Sequence, residues 1–296
     1  MDYILTTDNL TKKYGDKVAA GNINIHIRKG EIYGLIGRNG AGKTTIMRVI
    51  SGLSAQTSGS YQINDESKRG IGVLIESPGI YANRTAFDNM KIKCIAMNCY
   101  SKEHIEDLLK TVGLADTGDK KAGSFSLGMR QRLGIALALA GDPELIVLDE
   151  PINGLDPQGI AEIRETLEKL RDEKGITIMV SSHILDELGK IADSYGIINN
   201  GELIAEFSKE ELLQRCGEYI SIHTDDNKKA IEVIRSIGIQ SVEMSSDKIR
   251  VNDNLDKAAE INKALVDSGL AVDEIHATSL SLEDYYLNLT GGAVHE

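Results

Sequence analysis

The glycine-rich loop at residues 37–44 constrains the fold of this chain more than any other stretch. It reads Gly-Arg-Asn-Gly-Ala-Gly-Lys-Thr and fits the pattern G-x-x-x-x-G-K-[ST]. An apolar run at 31–36 predicts a buried strand before the loop, and residues 45–50 predict a helix after it. Free backbone N–H groups at such a helix start point at anions. The sequence therefore predicts a site for a nucleoside triphosphate.

The side chains of this loop have separate expected roles. Glycines let the backbone approach phosphate oxygens without a Cβ clash. We expect Lys43 to reach the β- and γ-phosphates and the Thr44 hydroxyl to bind Mg²⁺. The residues expected to contact the nucleotide are Gly37, Asn39, Gly40, Ala41, Gly42, Lys43, Thr44 and Thr45.

The composition of the 296 residues argues against several classes of protein. The chain has 33 Lys and Arg against 45 Asp and Glu, a net charge of −12, which disfavours a nucleic-acid partner because such partners need a basic surface. No run approaches the roughly 20 apolar residues that cross a bilayer, and the N-terminus lacks a signal-peptide pattern. If the chain works at a membrane, another chain must therefore supply the spanning part.

The three cysteines do not suggest a disulfide framework. Cys94, Cys99 and Cys216 are odd in number and scattered, and no paired metal ligands lie near them in the sequence. We expect reduced thiols in a cytosolic protein.

Alternation of predicted strands and helices indicates an α/β fold with a mostly parallel sheet. Strands are predicted at 3–7, 22–27, 31–36, 58–63, 69–75, 145–151 and 176–183, and helices at 45–50, 85–112, 123–140 and 159–174. After residue 201, strands are predicted at 202–208, 218–224, 248–252 and 270–277, with helices at 228–237, 256–268 and 282–289. This second pattern is typical of a small split βαβ domain. We expect domains at 1–215 and 216–296.

Polar side chains follow two of the predicted strands. Asp149 is expected to hold Mg²⁺, and Glu150 to orient and polarise the attacking water. Neighbouring strand residues point to opposite faces, so both carboxylates reach the γ-phosphate only if the strand has ended and the chain turns at Pro151. His183 closes the second strand and could hydrogen-bond the γ-phosphate; a structural histidine is the alternative.

Tyr14, in a predicted turn, could stack on a base or be a half-buried loop tyrosine.

Five ordered motifs resemble an ABC-transporter ATPase subunit over residues 1 to about 215. They are the loop at 37–44, Phe-Ser-Leu-Gly-Met-Arg-Gln at 125–131, the strand at 145–151, Asn-Gly-Leu-Asp at 153–156 and Ser-His at 182–183. The resemblance implies a P-loop NTPase ABC ATPase domain with a mixed sheet core, an antiparallel β part and a helical subdomain at about 77–140. It also implies ATP and Mg²⁺ as cofactors, Tyr14 stacking on adenine, and catalytic roles for Lys43, Glu150 and His183.

The resemblance further implies two kinds of partner. A second copy would pair head-to-tail, so that Ser126 and Gly128 of one chain contact the γ-phosphate held by the other, with Asp156 at the seam. A separate membrane permease would dock on residues 77–125, for which Phe87 and Met90 are the first candidates; the alternative is that the apolar residues here are ordinary helical core. The protein would then lie in the cytoplasm, peripheral on the inner face of the membrane.

Two positions depart from the usual pattern of that family. Glu76 stands where a Gln is usual, and we expect it to be a metal-side ligand; the alternative is that its charge is incidental to a permease contact. Leu127 replaces the first signature glycine, where a side chain could crowd the nucleotide held by the partner. Glu76 together with Phe-Ser-Leu-Gly-Met is similar to ATPase subunits of the lantibiotic-immunity and bacitracin-resistance group. The closing segment 281–291 is similar to tails of related antibiotic exporters, which predicts peptide-antibiotic export or immunity.

Two other functions are compatible with the loop. A non-transport ABC ATPase acting on DNA or ribosomes would carry long heptad arms or two cassettes in one chain, and neither is present. A regulatory scaffold that binds ATP without turnover is disfavoured because Lys43, Asp149, Glu150 and His183 are all intact. The C-terminal domain carries no recognisable chemical constellation, so a role in dimerisation, in reporting substrate or in structure alone stays open.

Overall fold

The chain folds as two compact units, Met1–Lys209 and Glu210–Glu296. The computed structural model describes residues 2–65, 70–215, 218–245, 247–252, 254–279 and 282–290. Several sequence predictions touch positions outside these ranges: Arg69 in a predicted strand, Cys216 at the predicted domain boundary, and Ser281 and Gly291 at the ends of the closing segment.

The first unit has ten strands and six α-helices in the part of the chain that is described. The strands are β1 (Tyr3–Tyr14), β2 (Lys17–Ile23), β3 (His26–Arg28), β4 (Ile32–Ile36), β5 (Ser58–Ile63), β6 (Ile71–Leu74), β7 (Leu145–Asp149), β8 (Thr177–Ser182), β9 (Ser194–Asn199) and β10 (Glu202–Ser208). The helices are α1 (Lys43–Ile50), α2 (Ala86–Ala96), α3 (Lys102–Thr111), α4 (Leu127–Leu139), α5 (Pro157–Lys174) and α6 (Leu185–Ile191).

A six-stranded sheet in the order β10-β9-β4-β8-β7-β6 forms the centre of this unit. Its neighbours run parallel except at the β10 edge, where β10 pairs antiparallel with β9. Every residue of β4, β7 and β8 is buried, as expected of parallel strands covered on both faces. The register pairs Asp149 with Ser181 and Ile36 with Ser182. The carboxyl ends of β4, β7 and β8 therefore meet at one edge, which is where open α/β sheets bind ligands.

A second, antiparallel sheet joins β2, β1 and β3, with β5 paired to β1. The single strand predicted at 22–27 was wrong, because the Thr7 hydroxyl accepts a hydrogen bond from Ile25 N at 2.7 Å and donates one to Ile23 O at 2.8 Å. This side chain replaces the ladder at that point and separates β2 from β3. Tyr14 is the last residue of β1 rather than a turn residue.

Each of the three α-helices between β6 and β7 has a side chain that caps its N-terminus. Thr85 and Asp88 form a capping box at α2, Ser101 caps α3 and Ser126 caps α4. The continuous helix predicted at 85–112 was wrong, because the chain leaves the helix at Asn98, whose φ is 56°. A backbone in this left-handed conformation ends a helix.

The second unit is a βαββαβ arrangement followed by a helix. Its elements are α7 (Lys209–Arg215), which begins at the junction, then β11 (Glu218–Thr224), α8 (Asn227–Ser236), β12 (Val242–Ser245), β13 (Lys248–Val251), α9 (Ala258–Asp267), β14 (Val272–Ser279) and α10 (Leu282–Thr290). The sheet order is β12-β13-β11-β14, and all pairs are antiparallel. β13 lies between β11 and β12, which is the strand arrangement of a split βαβ unit. Four elements escaped the sequence analysis: α6, β9, α7 and β12.

Candidate functional site

The loop after β4 has a backbone that requires glycine. Gly40 and Gly42 have φ angles of 83° and 112°, in the region that residues with a Cβ rarely adopt. A Cβ on Gly42 would also lie 2.6 Å from the carbonyl oxygen of Ala19. Gly42 is the N-cap of α1, whose first residue is Lys43. The loop therefore turns the first amides of α1 outward as a cradle for phosphate.

The Lys43 side chain is held at the base of this loop. It is only 5% exposed, and its Nζ donates a hydrogen bond to Gly37 O at 2.6 Å. The same nitrogen lies 3.0 Å from Glu150 Oε1. The ammonium group therefore connects the loop to the end of β7, and its charge faces the space where phosphates are expected.

Asp149 is surrounded by two hydroxyl donors. Thr44 Oγ1 donates to Asp149 Oδ2 at 2.7 Å, and Ser181 Oγ donates to Asp149 Oδ1 at 2.6 Å. Ser181 Oγ also accepts a hydrogen bond from Glu150 N at 2.9 Å. Ser181 is not among the residues that the sequence predicts for the site, although it lies near the end of an apolar strand and pairs with Asp149 in the register. This serine orients both carboxylate residues.

Glu150 turns towards the loop because the strand ends at Asp149. Its φ is 50°, a left-handed backbone conformation that breaks the alternation of strand side chains. Glu150 Oε2 lies 2.7 Å from His183 Nδ1, and Glu150 Oε1 faces Lys43. A carboxylate held between an imidazole and an ammonium group can accept a proton from a water at the γ-phosphate.

A cavity of about 570 Å³ opens over the loop. Its lining includes the predicted residues Tyr14, Asn39, Gly40, Gly42, Lys43, Thr44, Thr45 and Glu150. It also includes residues that the sequence analysis did not name, namely Lys17, Val18, Ala19, Arg38, Asn200 and Gly201. Tyr14 is 50% exposed, and Lys12 Nζ lies 5.0 Å from the centroid of its ring. The Asn200-Gly201 pair is a strong sequence signal for a β-hairpin turn. That signal could have indicated a turn at these two residues, which line the cavity.

Eight predicted residues lie outside that lining, and four of them directly adjoin residues that form it. Gly37 and Ala41 shape the loop from behind: Gly37 accepts the Lys43 hydrogen bond, and Ala41 N donates to Arg38 O at 3.1 Å. Asp149 and His183 lie behind Thr44 and Glu150, which they contact directly.

Ser126, Gly128 and Asp156 line a different cavity, of about 500 Å³. Ser126 Oγ accepts a hydrogen bond from Met129 N at 3.2 Å, and Asp156 Oδ1 accepts one from Gly159 N at 2.9 Å. Each is therefore the N-cap of a helix, α4 or α5. Leu127 is 40% exposed beside them. Within one chain, these residues do not share a cavity with Lys43.

Glu76 has an ion-pair partner on the helix that follows the loop. Its Oε1 lies 2.5 Å from Arg48 Nη2, and its φ is 64°. Glu76 does not line the cavity over the loop, and its role as a metal ligand stays a prediction.

Within the described ranges, no group of three or more His, Cys, Asp or Glu residues could hold a metal ion. The Thr44 hydroxyl and the Asp149 carboxylate are nonetheless oxygen donors of the type that Mg²⁺ prefers.

The helical residues expected to face a permease differ in exposure. Met90 is fully buried at 0% exposure and belongs to the core of the helical part, so its choice as a surface contact was wrong. Phe87 is half-buried. Exposed apolar side chains nearby are Tyr81, Ile92, Ile95, Met97 and Tyr100. Of the helices that the structure describes, none has the length and apolar character that spanning a bilayer requires.

Comparison with known proteins places these features in one family. The model of the ABC transporter family matches residues 20–153. Over 301 residues, the chain is 40% identical to the bacitracin transport ATP-binding protein BcrA of Enterococcus faecalis, covering 99% of this chain and 98% of that protein. It is 47% identical over 208 residues to the lantibiotic transport ATP-binding protein SrtF of Streptococcus pyogenes, covering 69% of this chain and 90% of that protein.

Solved structures agree with the sequence comparison. The ADP conformation of MJ1267, an ATP-binding cassette of an ABC transporter, superposes with a TM-score of 0.65 at 28% identity, covering 72% of this chain and 94% of that chain. The dimeric post-hydrolysis state of the cassette MJ0796, bound to ADP and Pi, superposes with a TM-score of 0.62 at 26% identity, covering 69% and 98%. The chain therefore belongs to the ABC transporter family, as an ATP-hydrolysing ATP-binding subunit.

Proposed function

We propose that this ATPase subunit powers the export of a peptide antibiotic, or immunity to one, through a separate permease. The observation that carries the proposal is the length of the similarity to BcrA of Enterococcus faecalis, which covers 99% of this chain. The match therefore includes the second unit as well as the ATPase unit that many transporters share. Substrate class rests on that relative and on SrtF, whose names state bacitracin and lantibiotic transport.

The hydrolytic step that we propose uses the residues at the ends of β4, β7 and β8. Glu150 accepts the proton of the attacking water, and His183 holds its carboxylate through the 2.7 Å contact. Lys43 and the amides at the start of α1 hold the phosphates of ATP, while Tyr14 offers its exposed ring to the adenine. Thr44 and Asp149 would hold Mg²⁺, and the bound ion would supply positive charge beside the phosphates.

We propose that the complete site forms between two copies arranged head-to-tail. Support comes from the separation of the two cavities, since Lys43 lines one and Ser126 lines the other. Ser126 begins a helix of 13 residues, so its end carries a partial positive charge suited to a γ-phosphate. No atom of the same chain lies closer than 3.8 Å to a Cβ built on Gly128, so the chain itself leaves this position open. Without a side chain, Gly128 would let the phosphate of the other copy approach the backbone closely. Asp156 would lie at the seam between the copies.

The permease contact is proposed at a groove of about 460 Å³ beside α2. Leu53, Tyr81 and Ile92 line it with exposed fractions of 63%, 56% and 38%. An apolar groove of this kind suits a short amphipathic helix of a membrane permease. Bound there, the subunit would lie on the cytoplasmic face of the membrane.

Resistance to a peptide antibiotic tests the proposed substrate class. The chain is co-expressed in a susceptible bacterium with a bacitracin or lantibiotic permease of the ABC transporter family. We expect the minimal inhibitory concentration of bacitracin or of a lantibiotic to rise several-fold, and the rise to disappear with Glu150→Gln. Glu168→Gln, on a half-buried position of α5, is the matched control and should keep resistance. Unchanged susceptibility to every such peptide, with ATPase activity intact, would exclude this substrate class.

The Mg²⁺ dependence of ATP hydrolysis tests the proposed role of Glu76. Glu76→Gln removes one carboxylate, so we expect several-fold more Mg²⁺ for half-maximal ATPase activity. Arg48→Gln should shift the titration in the opposite direction, because it releases Glu76 from the ion pair. Glu173→Gln, at an exposed position of α5, controls for net charge. An identical titration for Glu76→Gln and wild type would show that the charge of Glu76 is incidental.

A further inference from the structure

The turn that ends α2 brings two cysteines together. Met97 is the C-cap, and Asn98 adopts a φ of 56°. Cys99 N donates to Cys94 O at 2.9 Å, and Asn98 N donates to Ile95 O at 3.1 Å. These two hydrogen bonds define a Schellman motif, in which the side chains at the positions of Cys94 and Cys99 frequently contact each other. The usual contact is apolar, whereas here both side chains are thiols.

The surroundings of the two thiols differ. Cys94 is fully buried, while Cys99 is half-buried. Cys99 Sγ donates to Ala140 O at 3.1 Å, just beyond α4, and lies 3.6 Å from Cys94 O. Burial raises the pKa of the Cys94 thiol to about 11, with further contributions from the adjacent Cys99 and from Asp142. Cys94 therefore stays protonated at neutral pH, and the more accessible Cys99 is the thiol that a dissolved oxidant reaches first.

We propose that Cys94 and Cys99 form a reversible dithiol–disulfide site that hydrogen peroxide oxidises. The Cys99 sulfur attacks the O–O bond, which leaves a sulfenic acid on Cys99 and releases one water. The Cys94 sulfur then displaces hydroxide from that sulfenic acid, and the Cys94 proton leaves with the hydroxide as a second water. The two thiols lose two electrons and the peroxide gains them, so the step needs no other reactant.

A disulfide here would change the end of α2 rather than the nucleotide site. The bond would tie the last helical turn to the residue after the left-handed Asn98, and this would suppress local opening of the turn. The neighbours of Cys94 in α2 include Lys93 and Ala96, both of which line the groove of about 460 Å³. The oxidation itself depends only on the two thiols, so the site does not rest on the permease proposal.

Peptide mapping of the full-length chain tests this site. The protein is treated with hydrogen peroxide, free thiols are alkylated, and the peptides are analysed by mass spectrometry without reduction. We expect an intramolecular link between Cys94 and Cys99, the loss of two alkylation sites per chain, and their return after dithiothreitol. Cys216→Ser, which changes the third cysteine of the chain, should give the same link.

Two single variants separate the roles of the thiols. In Cys94→Ser, a sulfenic acid on Cys99 has no resolving thiol and should be trapped by dimedone. In Cys99→Ser, the buried Cys94 should resist the same peroxide dose. A wild-type chain in which Cys99 instead pairs with Cys216, pairs with another chain or reaches sulfinic acid while Cys94 stays alkylatable would overturn the proposal.

Discussion

Replacement of Glu150 by Gln is expected to lower the rate of ATP hydrolysis by about 10²–10⁴-fold, which is the usual contribution of a positioned general base. The amide keeps the size of the carboxylate and can still accept a hydrogen bond from His183, but it cannot take a proton from water. The contact of 3.0 Å between Glu150 Oε1 and Lys43 Nζ loses its charge, which leaves the ammonium group more available to phosphate. ATP binding should therefore persist, or tighten, while turnover stops.

Two measurements check this expectation. The first is the steady-state ATPase rate. The second is size-exclusion chromatography with and without ATP, where the variant should form a stable ATP-dependent dimer because hydrolysis no longer releases it. Glu168→Gln serves as the control for an amide substitution and should match wild type in both. A Glu150→Gln chain that hydrolyses ATP at the wild-type rate would show that another group activates the water.

Replacement of Ser126 by Asp is expected to reduce ATPase activity by about 10²-fold or more, comparable to the loss of a group that stabilises transition-state charge. Asp is as good an N-cap as Ser, so the hydrogen bond from Met129 N and the fold of α4 should survive. The new carboxylate would face the γ-phosphate of the other copy, and like charges in that position repel. The ATP-dependent dimer should be lost as well.

Ser101→Asp provides a matched control for this experiment. Ser101 is the N-cap of α3 and accepts a hydrogen bond from His104 N at 3.2 Å, the same length as the Ser126 contact, but it does not line the cavity of Ser126. The ATPase activity and the ATP-dependent dimerisation of Ser101→Asp should equal those of wild type. Ser126→Asp should still bind ATP as a monomer through its own loop, measured by calorimetry. Full activity of Ser126→Asp, or wild-type activity that does not depend on protein concentration, would contradict a site shared between two copies.

Local signals in the sequence were sufficient for most elements of the fold. Apolar runs marked β4, β7 and β8, and glycine spacing marked the loop between β4 and α1. The elements that escaped were those whose residues carry mixed signals: β9 contains Ser194 and Gly196, yet it is almost wholly buried and lies inside the sheet between β10 and β4. Helix α2 was merged with α3 because apolar spacing continues across Asn98, and the backbone conformation at that one residue separates them.

Exposure was the property that sequence patterns predicted least well. Met90 and Ile92 are both apolar residues of α2, but they lie two positions apart and so face different ways: Met90 is fully buried and Ile92 is 38% exposed. A helical repeat shows which residues share a face, whereas only the packing of neighbouring helices shows which face is covered.

The sequence by itself determined the chemistry of this protein, because a phosphate-binding loop, two carboxylates and a histidine each follow a strand in an order that few folds share. It left undecided whether Asp149 and Glu150 act on the same side of the sheet. The tertiary structure decided that point: β7 ends at Asp149, and Glu150 takes a left-handed conformation while its amide hydrogen-bonds Ser181 of the neighbouring strand at 2.9 Å. The physical reason is that a backbone angle and a contact between residues 31 positions apart depend on strand pairing, which no local pattern of residues encodes.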